Sequence, residues 1–149
     1  MKKQIYELIE AVKLVALDAD LQIKALPSFA YVPDEVALTL DQFLFQLDWV
    51  SEKTTKFEQV EKKIRELHNL FSEMTDNKQF TMEEFNSAKE WDNTRTLARK
   101  ILAILDEPLT IPNLDWVTYV PGNSEETIQN KETIDDISNA YFKFMALLI

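Results

Sequence analysis

His68 is the only histidine of this 149-residue chain, and it stands among Arg65, Glu66 and Asn69 on a helical stretch. A two-histidine metal site therefore lacks its second ligand, and a lone histidine in such company reads as a surface residue. Cysteine is absent, which excludes disulfides, thiolate metal sites and a cysteine nucleophile. The close carboxylate pairs are Asp18/Asp20, Asp34/Glu35 and Asp135/Asp136. Two acids at adjacent helical positions point to different sides, so they read as capping or solvated groups rather than as a hydrolase pair. The single glycine, Gly122, rules out a glycine-rich phosphate loop. "RTLARK" (95–100) is a short basic patch, too small to suggest nucleic acid.

One stretch, "EMTDNKQFTMEEF" (73–85), resembles the calcium loop of an EF-hand in outline. Phe80 takes the apolar eighth place and Glu84 the bidentate twelfth. Glu73 and Thr75 are poor first and third ligands, however, and Lys78 occupies the place that demands glycine. Thr81 and Glu84 at capping-box spacing account for the same letters as a helix start. No catalytic residue, cofactor or metal is assigned.

The charge pattern is more informative. The chain has 26 acidic and 16 basic side chains, a formal net charge of −10. Phosphate backbones are bound by clustered Lys and Arg, so direct nucleic-acid binding is not expected. Two tracts lack any cation. Lys24 to Lys53 encloses Asp34, Glu35, Asp41, Asp48 and Glu52, and Lys100 to Lys131 encloses Asp106, Glu107, Asp115, Glu125 and Glu126. Five acids in each account for the whole net charge. Each tract also holds one Tyr-Val-Pro, at 31–33 and 119–121, with Phe29 and Trp116 as further aromatics. Tyrosine and tryptophan anchor interfaces, and rim carboxylates steer a basic partner. The candidate partner-binding residues are Tyr31, Asp34, Glu35, Asp115, Trp116, Tyr119, Glu125 and Glu126. The competing expectation is that the tyrosines tuck into the core as lids while the acids are merely solvated.

The elements that must position these residues are helical. Apolar residues at Ile5, Leu8, Ile9, Val12, Val15 and Ala16 predict an amphipathic helix over about 3–24. Pro33, Asp34 and Glu35 suit a first helical turn, followed by the line Val36, Leu40, Phe43, Leu44, Leu47 and Val50. Phe57, Val60, Ile64, Leu67, Phe71 and Met74 continue it in heptad fashion. One rod over 34–75 would reach about 63 Å, against a radius of gyration of about 15 Å for a compact chain of this length. Two helices are expected instead, with a restart at Thr55 and Glu58. A further helix spans about 81–106, an irregular stretch with Pro108, Pro112 and Pro121 follows, and a last helix spans about 131–148.

A shift of 88 residues lays 14–33 over 102–121 with nine of twenty positions identical. The chain is therefore expected to be one all-α domain, a bundle of about five helices. It has the pattern of two pseudo-repeated helix–loop–helix units, 3–50 and 90–149, joined by a helix over 56–75. Glu7, Glu10 and Lys13 interrupt the N-terminal apolar stretch, so neither a signal peptide nor a membrane span is expected, and a cytoplasmic setting fits. The expected function is protein–protein binding to a basic toxin, nuclease or nucleic-acid-binding protein. The protein would be a stoichiometric inhibitor such as an immunity protein, working as a monomer or homodimer. Alternatives are a phage-encoded antagonist imitating nucleic-acid charge, and a ligand-binding or enzymatic bundle with a pocket at Trp49, Trp91 or Tyr141.

Overall fold

The structure is a computed structural model that describes residues 2–49 and 53–115. Its elements are α1 (Lys2–Ala16), α2 (Ala19–Ala25), α3 (Val32–Phe43), a 3₁₀ helix (Leu44–Trp49), α4 (Thr55–Asp76), α5 (Met82–Ser87) and α6 (Lys89–Ile104). No strand occurs among the described residues, so the fold is an all-helical bundle. α1 packs against α3 and α6, and α4 closes on α6. The expected helix over 131–148 lies outside the described residues.

The apolar periodicity of α3 and α4 is buried as written. Val36, Leu40, Phe43 and Leu47 face the core from one side, and Phe57, Val60, Ile64, Leu67, Phe71 and Met74 from the other. The two helices are separate, as the length argument requires. α4 restarts at Thr55, but the cap is the residue before it: the Thr54 hydroxyl accepts the Phe57 N–H at 3.1 Å.

α1 departs from simple amphipathicity. Leu8, Ile9, Val12 and Val15 are buried, but so are Ala11, Leu14, Glu7, Glu10 and Lys13. The helix lies inside the molecule. Its buried cation is shared between a local and a distant carboxylate: Lys13 Nζ sits 3.2 Å from Glu10 Oε2 and 3.1 Å from Glu107 Oε1. Buried ions are tolerated only when paired in this way.

The expected helix over 3–24 breaks at Leu17–Asp18. The break lets Gln22 fold back, and its amide Nε2 donates to the carbonyls of Leu14 (3.0 Å) and Val15 (3.1 Å). Arg99 Nε donates to the next carbonyl, Ala16, at 2.8 Å, and Arg99 Nη2 pairs with Asp18 at 2.6 Å. The otherwise orphaned carbonyls at the end of α1 are thus satisfied by side chains.

The expected helix over 81–106 breaks at Ala88, whose backbone is extended. Phe85 and Trp91 are six residues apart, about 240° around a continuous helix, and could not share a face. The break brings their rings to 4.8 Å, edge to face. Arg95 joins this cluster. It is 4% exposed, with Nη2 on the Phe85 carbonyl (2.9 Å), Nε on Gln22 Oε1 (3.1 Å) and Nη1 on Asp92 (3.1 Å). "RTLARK" is therefore not a basic surface patch, since Arg95 is a core residue and Arg99 caps α1.

Two helices end with a left-handed residue that is not glycine, Lys78 (φ 56°) and Asp106 (φ 54°). In each case the amides of that residue and the next bond back into the last turn. Lys78 and Gln79 reach Thr75 and Met74, while Asp106 and Glu107 reach Ala103 and Leu102, the Schellman arrangement. Helix α4 runs on to Asp76, so 73–76 is helical and not part of a calcium loop. Within the compared segments, 19–25 is helical whereas 107–113, with Pro108 and Pro112, is not.

Candidate functional site

Tyr31 precedes α3 and provides no side-chain cap for it. Its phenol instead crosses to the α4–α5 connection and donates to the Phe80 carbonyl at 2.5 Å. The ring is 47% exposed, so Tyr31 is not a core lid. The neighbouring carbonyl, Gln79, accepts the Trp91 indole N–H at 2.8 Å. Two aromatic donors thus pin consecutive peptides of the connection. The Phe80 ring lies edge-on to Trp91 at 5.2 Å, which ties it to the core.

Between α3 and this connection lies an open groove of about 330 Å³, lined by Asp34, Ala37, Leu38, Thr75 and Phe80. Asp34 is exposed and Glu35 half-buried. Burial first, and the Asp34 charge second, push the Glu35 carboxyl above the usual range. Asp34, Asp41 and Asp48 recur every seventh residue. Asp41 meets His68 Nε2 at 2.7 Å and Asp48 meets Arg65 Nη2 at 2.7 Å. Arg65 also bonds Glu61, one helical turn earlier, at 3.0 Å. Among the described residues Asp34 has no ion pair, and it opens onto the groove. The cation of the α4–α5 turn, Lys78, is exposed two residues before Phe80.

Three of the expected site residues, Tyr31, Asp34 and Glu35, therefore come together on one face. Asp115 is half-buried. Its N–H bonds Asn113 Oδ1 (3.0 Å), and the Asn113 N–H in turn reaches Glu10 (3.4 Å), so it lies against α1. Trp116, Tyr119, Glu125 and Glu126 lie outside the described residues, as does Tyr141. Trp91, named for an internal pocket, is fully buried among Phe71, Phe80 and Phe85.

Sequence reasoning missed Leu38, Phe45, Thr75 and Phe80. Leu38 and Phe45 are 55% and 51% exposed. Their signal was their place off the buried line: Tyr31 before α3, Leu38 within it and Phe45 in the 3₁₀ helix after it repeat every seven residues and are all exposed. Phe80 fits the calcium-loop outline in the sequence, which hides its place in the groove. Among the described residues no three metal-ligating side chains gather, and no helix is long and apolar enough to cross a membrane. No protein-family model, curated protein or solved structure matches this chain.

Proposed function

We propose that the protein acts by binding a basic protein through the α3 face and occluding it, as a stoichiometric inhibitor such as an immunity protein that neutralises a basic toxin or nuclease. The observation that supports this most is the half-exposed Tyr31, bonded to the Phe80 carbonyl, next to an apolar groove that exposed Asp34 and Phe80 line. Aromatic rings held this way supply contact area at little cost in side-chain freedom. The cation-free tract around them raises the encounter rate with a positive surface. The pairing of Asp48 with Arg65 removes charge from the row, which favours a protein inhibitor over an imitation of a phosphate backbone.

Affinity capture from a lysate of the source organism, with mass-spectrometric identification, tests this. Wild type should retain a basic protein in one-to-one stoichiometry, and Asp34→Lys/Glu35→Lys should lose it. Equal retention by both would show that the acidic face is not the binding surface.

A further inference from the structure

Tyr31, Leu38 and Phe45 form an exposed apolar row at seven-residue spacing. Asp34 and Asp41 lie on one flank of α3 and Glu35 and Gln42 on the other, while Phe45 and Asp48 belong to the 3₁₀ helix that follows, where residues three apart share a side. The row is about 21 Å long, taking 14 residues at helical rise, which equals four turns of a partner helix. The groove opens beside its middle residue, Leu38, with Phe80 and Thr75 as its far wall.

We infer that the occupant of this face is an amphipathic helix bearing lysine or arginine, laid along α3. Its apolar residues, about seven apart, would pack between Tyr31, Leu38 and Phe45, with a cation against Asp34. The inference deepens the protein-binding reading above and rests on it.

A seven-residue apolar period is the repeat with which two helices stay in register. An extended segment has no such match. The amides of α3 are consumed within the helix, so no backbone ladder is on offer. A second copy of this chain fits poorly. Pairing α3 with itself about a twofold axis would bring acidic flanks together, in a chain of net charge −10, and like charges opposed across an interface cost affinity. A positive flank on the partner is what complements Asp34, the member of the acid row without an ion pair among the described residues. The Glu35 carboxyl beside it is raised by burial first and by the Asp34 charge second, and an incoming cation would offset the second of these.

The probe is a synthetic peptide of about 18 residues, enough for the four turns with frayed ends, with leucines at heptad spacing and lysines on the flanks. A scrambled peptide of identical composition is the control. Binding to the full chain is followed by calorimetry, and peptide helicity by far-UV circular dichroism. The heptad peptide should bind, gain helix on binding and shift amide resonances of 31–45 and 75–80. Scrambling, Leu38→Asp or Phe45→Asp should each weaken binding by about tenfold or more. Both side chains are exposed, so both variants should keep the wild-type urea midpoint.

Equal binding of the scrambled peptide, or undiminished binding by Leu38→Asp, would overturn the helix assignment while leaving the acidic binding face intact. Binding by neither peptide would also overturn it, and the capture experiment above would still judge the broader reading. A wild-type dimer in sedimentation that Leu38→Asp dissolves would give the face to a second copy instead.

Discussion

Replacing Arg95 by methionine should destabilise the protein strongly although no surface changes. The guanidinium makes three hydrogen bonds and stacks 4.8 Å from the Phe85 ring. Methionine keeps most of the stem volume but leaves the Phe85 carbonyl and Gln22 Oε1 without their donor. Each buried orphan costs about 1–3 kcal/mol. The lost pair with Asp92 adds little, because that carboxylate is largely exposed. Against this, burial already works against the charged guanidinium, with Asp92 partly compensating, so removing the charge recovers some desolvation. The net expectation is a loss of about 3 kcal/mol, a large share of the roughly 5–15 kcal/mol typical of a domain. Urea unfolding followed by far-UV circular dichroism reads it as a lower midpoint at unchanged slope. The double mutant with Gln22→Met removes one orphan together with its lost donor. It should therefore fall short of the summed single effects by about 1–2 kcal/mol. Arg95→Met costing less than about 1 kcal/mol, or strict additivity with Gln22→Met, would refute the account of Arg95 as a core tie.

Other expectations follow from single features. Lys78→Gly should stabilise by about 0.5–1 kcal/mol, because glycine relieves the left-handed backbone at a cost in unfolded-state entropy; a lower thermal midpoint would contradict this. Glu35→Gln should raise stability at neutral pH. The folded-state carboxyl is raised by burial and Asp34, so its charged form weakens the native state above that raised value, and the advantage should vanish as pH falls below the ordinary carboxylate range. Glu61 behaves oppositely. Burial pushes its carboxyl up, but hydrogen bonds from Lys53 and Arg65 outweigh it and hold the group low, so Glu61→Gln should cost stability at pH 7 and little in acid. Tyr31→Phe should cost about 0.5–1 kcal/mol, since the exposed Phe80 carbonyl can turn to water, and urea midpoints would measure it.

The long helices were legible because their cores are periodic and local. Val36 to Leu47 and Phe57 to Met74 carry the burial pattern in their own spacing. What escaped were features made by residues distant in sequence. Nothing around Glu10 and Lys13 announces Glu107, and nothing in "RTLARK" shows that Arg95 meets Gln22, 73 residues away. The break at Ala88 follows from the need to bury Phe85 and Trp91 together, which no helix propensity records. At the candidate site, Tyr31, Asp34 and Glu35 were found from charge and aromatic content. Leu38 was overlooked because a single apolar residue off the buried line looks ordinary until its neighbours at 31 and 45 are seen to be exposed too. Phe80 reaches the groove through the geometry of a helix end, with lysine in the conformation usually left to glycine.

The last carbonyls of α1 are satisfied by Gln22 and by Arg99, and Gln22 is itself held by Arg95. During synthesis, α1 therefore leaves the ribosome well before residues 95–99, and the donors that complete its end emerge some 80 positions later. Until then the Ala16 carbonyl has only water, and Gln22 holds the turn without its own tie to Arg95. Commitment of the bundle is thereby postponed to the arrival of α6, and a nascent chain stalled before that helix would expose the very segment that later becomes the centre of the molecule.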